Sequence, residues 1–293
     1  MMRHILILLL SALSLNLSAA VAGSGGVVEA IQMPAWYDRD GKTYPLKPGI
    51  KLISGDIIRT GNNSRALLRL DEGSMIKLGS DAKLKIKSLA PPKQKEGIFA
   101  ALLRVSRGAF RFTTTELGKN RKRDVDVRIG AVTIGIRGTD IWGRSKTDGD
   151  LFCLIEGNVN VQRDGEAAFV MRDPLQYIVA EKDKPTSAVM PVDMDELGDW
   201  AAETETQQGK GIVTADGEWA VNMISLRNAE AASKLQQVLN DAGYATGIEE
   251  VEIDRQLWLR LRIKGFVSRK DASSFAETID NQYGLARPWV VKF

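Results

Sequence analysis

The chain has 293 residues, 44% of them hydrophobic and 26% charged, the balance of a folded globular protein with room for one large domain or two ordinary ones. Its net charge of +3 is too small to suggest DNA as the main partner. A single cysteine, Cys153, excludes an intramolecular disulfide and a cysteine zinc cluster.

At the start, Arg3 and His4 precede the apolar run ILILLLSALSLNL, which is short for a bilayer span. Ala20 and Ala22 occupy the small-residue positions before Gly23. The pattern predicts a cleavable secretory signal peptide over residues 1–22, cut after Ala22; an uncleaved anchor helix is the alternative. No later segment is apolar for long enough to cross a membrane. His4 is the only histidine, so the chain beyond the signal has none. Ser-His-Asp and Cys-His nucleophiles and histidine metal sites are thereby excluded, and no metal or cofactor is expected.

Residues 27–181 read as an all-β domain. In AKLKIKSL, Leu84 and Ile86 alternate with Lys83, Lys85 and Lys87, a half-buried strand with a wet lysine face. RALLRL, GAFRFTT, VDVRIG, AVTIGI, LFCLIEG and NVNVQ are similar runs, most of them bounded by turn-forming residues. GIFAALLRV reads equally as a short helix or a strand. Short strands at close spacing predict a sandwich, barrel or solenoid. Cys153, within LFCLIEG, is expected to be a buried, inert thiol. The glycines of TIGIRGTDIWG (133–143) suggest a phosphate loop, but strand and turn follow them rather than a helix N-terminus. They are read as bends, with Thr139 or Asp140 bonding the local backbone. Ser74-Met75-Ile76-Lys77 matches the S-x-x-K nucleophile motif, without that motif's helix start or its S-D-N and K-T-G partners. The basic run KNRKRDVDVR (119–128) is read as a solvated loop leading into a strand, an acidic partner being the alternative.

An ordered set of motifs runs through this region: Gly55-Asp56, Asp71-Glu72-Gly73-Ser74 with Leu78-Gly79, Arg107-Gly108-Ala109-Phe110, Ile136-Arg137-Gly138-Thr139-Asp140 and Glu156-Gly157-Asn158-Val159. Their order resembles the FecR domain of bacterial envelope proteins. The resemblance implies a β-solenoid or sandwich-like fold and an interaction or ligand-sensing role toward an unidentified envelope protein. The role of members that signal through a membrane helix to a cytoplasmic domain is not expected of this chain.

Residues 182–217 read as an acidic flexible linker with Pro185 and Pro191. Asp193 to Glu205 could form a short helix around Leu197, Trp200 and Ala201.

Residues 218–293 change character. EWAVNMISL is a strand, and Asn228 can cap a helix bearing Ala231, Leu235, Val238, Leu239 and Ala242 on one stripe and ending at Gly243. GIEEVEI and QLWLRLRIKGF are strands. Ser268 and Asp271 form a capping box for a second helix bearing Ala272, Phe275, Ala276 and Ile279 and stopping at Gly284, and PWVVKF closes the chain as a strand. The order βαββαβ predicts an α+β domain: a four-stranded antiparallel sheet with two helices on one face and the other face open. Along QLWLRLRIK, Leu257, Leu259, Leu261 and Ile263 point to the helices, and Trp258, Arg260, Arg262 and Lys264 to the open face. An indole beside guanidinium groups suits a sugar chain, since the ring stacks on the apolar face of a pyranose and arginine donates to N-acetyl carbonyls or pairs with carboxylates. The competing reading is that tryptophan and arginine merely stack on each other.

Val221-Asn222-Met223-Ile224-Ser225-Leu226 and Trp258-Leu259-Arg260-Leu261-Arg262-Ile263-Lys264-Gly265-Phe266 resemble the V-Q-x-G-S-F-like and W-x-R-V-x-I-G-P-F-like strands of the SPOR domain, a bacterial peptidoglycan-binding module. The resemblance implies binding of glycan strands stripped of stem peptides, by Asn222, Ser225, Trp258, Arg260 and Arg262, and a place at the division septum. Asn222, Ile224 and Lys264 depart from the motif. The same fold hosts RNA-binding modules, and Lys264-Gly265-Phe266-Val267 is similar to a fragment of their sheet motif, but it lies at the strand's exit, so no nucleic acid partner is expected. Together these features predict a non-catalytic, peptidoglycan-binding protein of the periplasm. A cell-wall hydrolase with an unidentified carboxylate pair and a signalling scaffold without glycan binding are the alternatives.

Overall fold

The computed structural model describes residues 25–90, 98–114 and 123–293. The predicted signal peptide, and Lys119 to Lys122 of the basic run, lie outside the described residues. The β domain contains β1 (Gly26–Gln32), β2 (Ala35–Arg39), β3 (Lys42–Pro45), β4 (Lys51–Leu52), β5 (Ile57–Thr60), β6 (Arg65–Leu70), β7 (Met75–Leu78) and β8 (Lys83–Ala90). It continues with β9 (Phe99–Thr113), β10 (Arg123–Ile129), β11 (Val132–Ile136), β12 (Asp140–Ser145), β13 (Gly149–Glu156), β14 (Val159–Arg163), β15 (Phe169–Met171) and β16 (Gln176–Glu181).

These strands make two sheets. One runs β4–β1–β6–β7–β9–β12–β13–β16. The other runs β3–β2–β5–β8–β9–β10–β11–β14–β15. Alternation fixes which face is inside: Ala66, Leu68 and Leu70 of β6, and Leu84 and Ile86 of β8, are buried in one core. Phe99 to Val105 of the ambiguous run GIFAALLRV is strand, the start of β9. β9 joins the sheets. Its first part pairs with β8 and β10, and Gly108 to Thr113 pair with β12. The transfer occurs at Gly108, whose φ of +81° suits glycine and where a Cβ would sit 2.5 Å from Ala82 Cα.

The segment 182–217 is not a loose tether. β17 (Met190–Pro191) pairs with β16, α1 (Met194–Thr204) lies on the first sheet, and β18 (Ile212–Thr214) pairs with β1. Asp193 caps α1 by accepting from Asp195 N at 2.9 Å. Leu197 and Trp200 are buried against Trp142, Cys153 and Ala109. Trp200 stacks on Trp142 with centroids 5.1 Å apart and meets Tyr177 edge-on at 5.4 Å. Two acids at the end of this helix are matched: Glu205 pairs with Lys77 (2.5 Å) and Arg111 (3.2 Å), and Glu203 with Arg144 (2.5 Å).

The last unit is β19 (Trp219–Leu226), α2 (Ala229–Asp241), β20 (Gly247–Ile253), β21 (Gln256–Phe266), α3 (Arg269–Ile279) and β22 (Trp289–Lys292). The sheet order is β20–β21–β19–β22, all antiparallel, as βαββαβ predicts. Asn228 accepts from Ala231 N at 2.8 Å and Ser268 from Asp271 N at 3.1 Å, so both predicted caps form. α3 ends at Ile279, short of Gly284. Buried Asp271 also accepts from Gly211 N (3.1 Å) and Ile212 N (2.9 Å), which ties this unit to β18. The β domain adds Trp36 Nε1 donating to Asp241 O (2.9 Å), Ala35 N to Gly243 O (3.1 Å) and Gln32 Nε2 to Lys210 O (2.9 Å).

Candidate functional site

β21 carries the alternation that defines the site. Leu261 and Ile263 are buried toward the helices, while Leu257, at the strand's start, is exposed. Trp258, Arg260, Arg262 and Lys264 take the opposite face. Register places Ser225 opposite Arg260, and Asn222 between Arg262 on one side and Trp289 on the other. Asn222 and Ser225 are an odd number of residues apart and would face opposite ways in a regular strand. A bulge between Asn222 and Ile224 shifts the phase and brings both to the open face.

The open face is a row of aromatic rings and cations. Arg227 lies over the Trp258 ring at 4.5 Å, Arg260 over Trp289 at 5.4 Å, and Lys264 over Phe293 at 5.0 Å. Arg260 Nε donates to Ser225 Oγ at 3.2 Å. Arg262 pairs with Glu249 at 2.8 Å, and Lys264 pairs with the other oxygen of the same carboxylate. Asn222, in the middle, is 0% exposed, with Arg262 and Trp289 as its register neighbours. Neither its Oδ1 nor its Nδ2 has a hydrogen-bond partner among the described residues, and Arg262 Nε beside it has none either. A buried polar group left unpaired costs about 1–3 kcal/mol. Two neighbouring side chains carry that cost here on one face.

The five predicted residues therefore share one face, with Asn222, Ser225, Arg260 and Arg262 grouped and Trp258 at one end. Trp289, Arg227 and Glu249 were missed. The alternation of PWVVKF, with Trp289 out and Val290 packed on the core, was the available signal for Trp289.

Two family models match the chain: one described as FecR protein over residues 56–160, and one described as SPOR domain over residues 215–292. The chain carries a FecR domain followed by a SPOR domain. None of the curated proteins matches it. Two crystal structures of a "putative anti-sigma factor" from Parabacteroides distasonis ATCC 8503 align at a TM-score of 0.40 each, with 13% and 12% identity. The alignments cover 69% of this chain and 97% and 96% of those chains, a likeness too distant to place any residue.

Within the FecR domain, the glycine-rich stretch 133–143 spans most of β11, the turn at Arg137 to Thr139 and the start of β12. Gly138 has φ +105°, and buried Asp140 accepts from Arg111 Nε (2.9 Å) and Nη2 (2.7 Å). Neither expected side-chain bond to the local backbone forms: Asp140 takes this longer-range ion pair, and buried Thr139 Oγ1 has no hydrogen-bond partner among the described residues. Lys77 of the S-x-x-K match is engaged with Glu205, and Ser74 is buried at the turn before β7. Burial pushes the Cys153 thiol up to about 12, the state of an inert cysteine. Among the described residues no group of acids and cysteine could hold a metal ion, and no helix is long and apolar enough to cross a membrane.

Proposed function

We propose that this is a non-catalytic protein of the bacterial periplasm whose SPOR domain binds peptidoglycan glycan strands, while its FecR domain serves as an interaction or sensing module. The observation that carries this reading is the open sheet face, where Asn222 and Arg262 hold unpaired buried polar atoms inside a row of aromatic rings and guanidinium groups. Trp258 and Trp289 offer planes for pyranose rings. Arg260 supplies donors for N-acetyl carbonyls and lactyl carboxylates. Asn222, with one donor pair and one acceptor, matches a sugar amide or hydroxyl once Trp289 and Arg262 part to admit it.

The test is retention of the chain lacking residues 1–22 on amidase-treated sacculi, whose glycan strands are bare. The wild type is expected to be retained, and Trp258→Ala combined with Arg260→Ala to release it. Retention unchanged by the double substitution would remove the open face as the site. No retention of the wild type would favour a signalling scaffold, and release of soluble muropeptides a hydrolase.

A further inference from the structure

The open face of the SPOR domain does not stop at the domain boundary. Beyond Arg262 and Lys264 it runs into a cleft of about 730 Å3 whose far wall belongs to the β domain, in strands that precede the FecR match. Such a volume lies within the range of sites for small organic ligands, about 300–1,000 Å3. The far wall presents Tyr37 and Tyr44, stacked with centroids 5.1 Å apart, and Lys47. The near wall presents Arg262, Lys264 and Phe293. Tyr44 is 39% exposed and Phe293 56%, so both walls offer aromatic surface.

We infer that this cleft is a second sugar subsite, in which the first strands of the β domain take hold of the same glycan strand that lies on the SPOR sheet. The inference rests on the glycan-binding reading above and adds the second domain to it. The walls are fixed relative to each other. β1 pairs with β18 through Ala30–Thr214, Ile31–Val213 and Gln32–Ile212, and the Trp36 and Ala35 hydrogen bonds clamp the end of α2. The chemistry selects the occupant. Cations and acids are mixed along the cleft: Arg262 and Lys264 are neutralised by Glu249, and Asp216 and Glu218 also line it. Charge is balanced there, so an occupant is held by stacking and hydrogen bonds rather than by a net field. Aromatic planes with interspersed donors and acceptors fit a chain of pyranose rings. Arg262 belongs to both the sheet face and the cleft, so a bound strand passes from one to the other without a gap.

The test compares binding of bare peptidoglycan glycan oligomers, short and long, to the chain lacking residues 1–22. The variants are Tyr44→Ala, Lys47→Glu and Trp258→Ala. Tyr44→Ala and Lys47→Glu are expected to weaken the long oligomer about three- to tenfold, the worth of one aromatic or polar contact, and to leave the short one unchanged. Trp258→Ala is expected to weaken both. If Trp258→Ala weakens binding and neither cleft variant does at any length, the cleft inference is overturned and the sheet-face reading stands. If the wild type binds no oligomer, the glycan-binding reading itself fails. If intact sacculi, with stem peptides, lose affinity on Lys47→Glu while bare glycan does not, the cleft holds peptide and the inference is overturned. Both cleft substitutions are at exposed positions, so circular dichroism is expected to show wild-type folding for at least one of them.

Discussion

Trp200→Ala should unlatch α1 from the β domain, and Cys153 reports it. The indole is 5% exposed and stacks on Trp142 at 5.1 Å with its plane tilted by only 8°. Trp142 and Cys153 are cross-strand partners, as are Cys153 and Tyr177, so α1 covers the thiol directly. Truncating a buried tryptophan costs about 3–5 kcal/mol in a full core. This small satellite cluster warrants the lower end, about 3 kcal/mol, because solvent can fill part of the space. If the thiol reacts only when α1 lifts, that loss raises the open population by about two orders of magnitude. The assay is the rate of Cys153 modification by an aromatic disulfide reagent under native conditions. In the wild type, labelling should be very slow, since a thiol pushed up to about 12 by burial holds almost no thiolate at neutral pH. In Trp200→Ala the rate should rise about a hundredfold, with weak dependence on denaturant, which marks local opening rather than global unfolding. An unchanged rate, or one that follows the global unfolding slope, would refute the assignment of α1 as a docked latch.

Asn222→Leu is expected to raise the melting temperature by removing two unpaired buried polar atoms, and to reduce sacculus retention; scanning calorimetry with pull-down checks both, and a lower melting temperature would mean the amide has a partner in solution. Asp271→Ala should destabilise by about 2–3 kcal/mol, because it strands the Gly211 and Ile212 amides at the junction of the domains; urea unfolding measures it. Gly108→Ala should destabilise by more than about 2 kcal/mol, since the new methyl would meet Ala82 at a positive φ, and thermal melts would show it. Raising ionic strength should speed Cys153 labelling only a fewfold, because the ion pairs of Glu203 and Glu205 are partly exposed.

The βαββαβ unit could be read in advance because its signals are local: two capped helices, and a strand whose apolar and polar residues alternate without a break. The stripe of α2 lies one step off the predicted one, since Ala232 is buried with Leu239 while Ala231 and Val238 are exposed. The docking of residues 182–217 could not. Its acids look like a solvated tether in sequence, and only the fold brings Lys77, Arg111 and Arg144 to Glu203 and Glu205. Trp200 likewise gains its meaning from Trp142 and Tyr177, on strands that precede it. On the sheet face, alternation found Trp258, Arg260 and Arg262 directly. The placement of Asn222 with Ser225 depends on a bulge that strict period two does not predict. The burial of Asn222 depends on Trp289 arriving from the last strand.

The pairing of β1 with β18 bears on how the chain is made. β1 is among the first strands to leave the ribosome, yet β18, which covers the Ala30–Gln32 part of its edge, is synthesised much later; the Gln32–Gln207 contact that accompanies the pairing closes a separation of 175 residues. Until then those backbone groups are a bare sheet edge, open to any other extended chain nearby. Closure of so long a loop is slow compared with local hairpins. β18, just ahead of the SPOR domain, therefore also acts as the late-arriving cover of the β domain's first strand, and truncation before β18 should leave a β domain that self-associates through that strand.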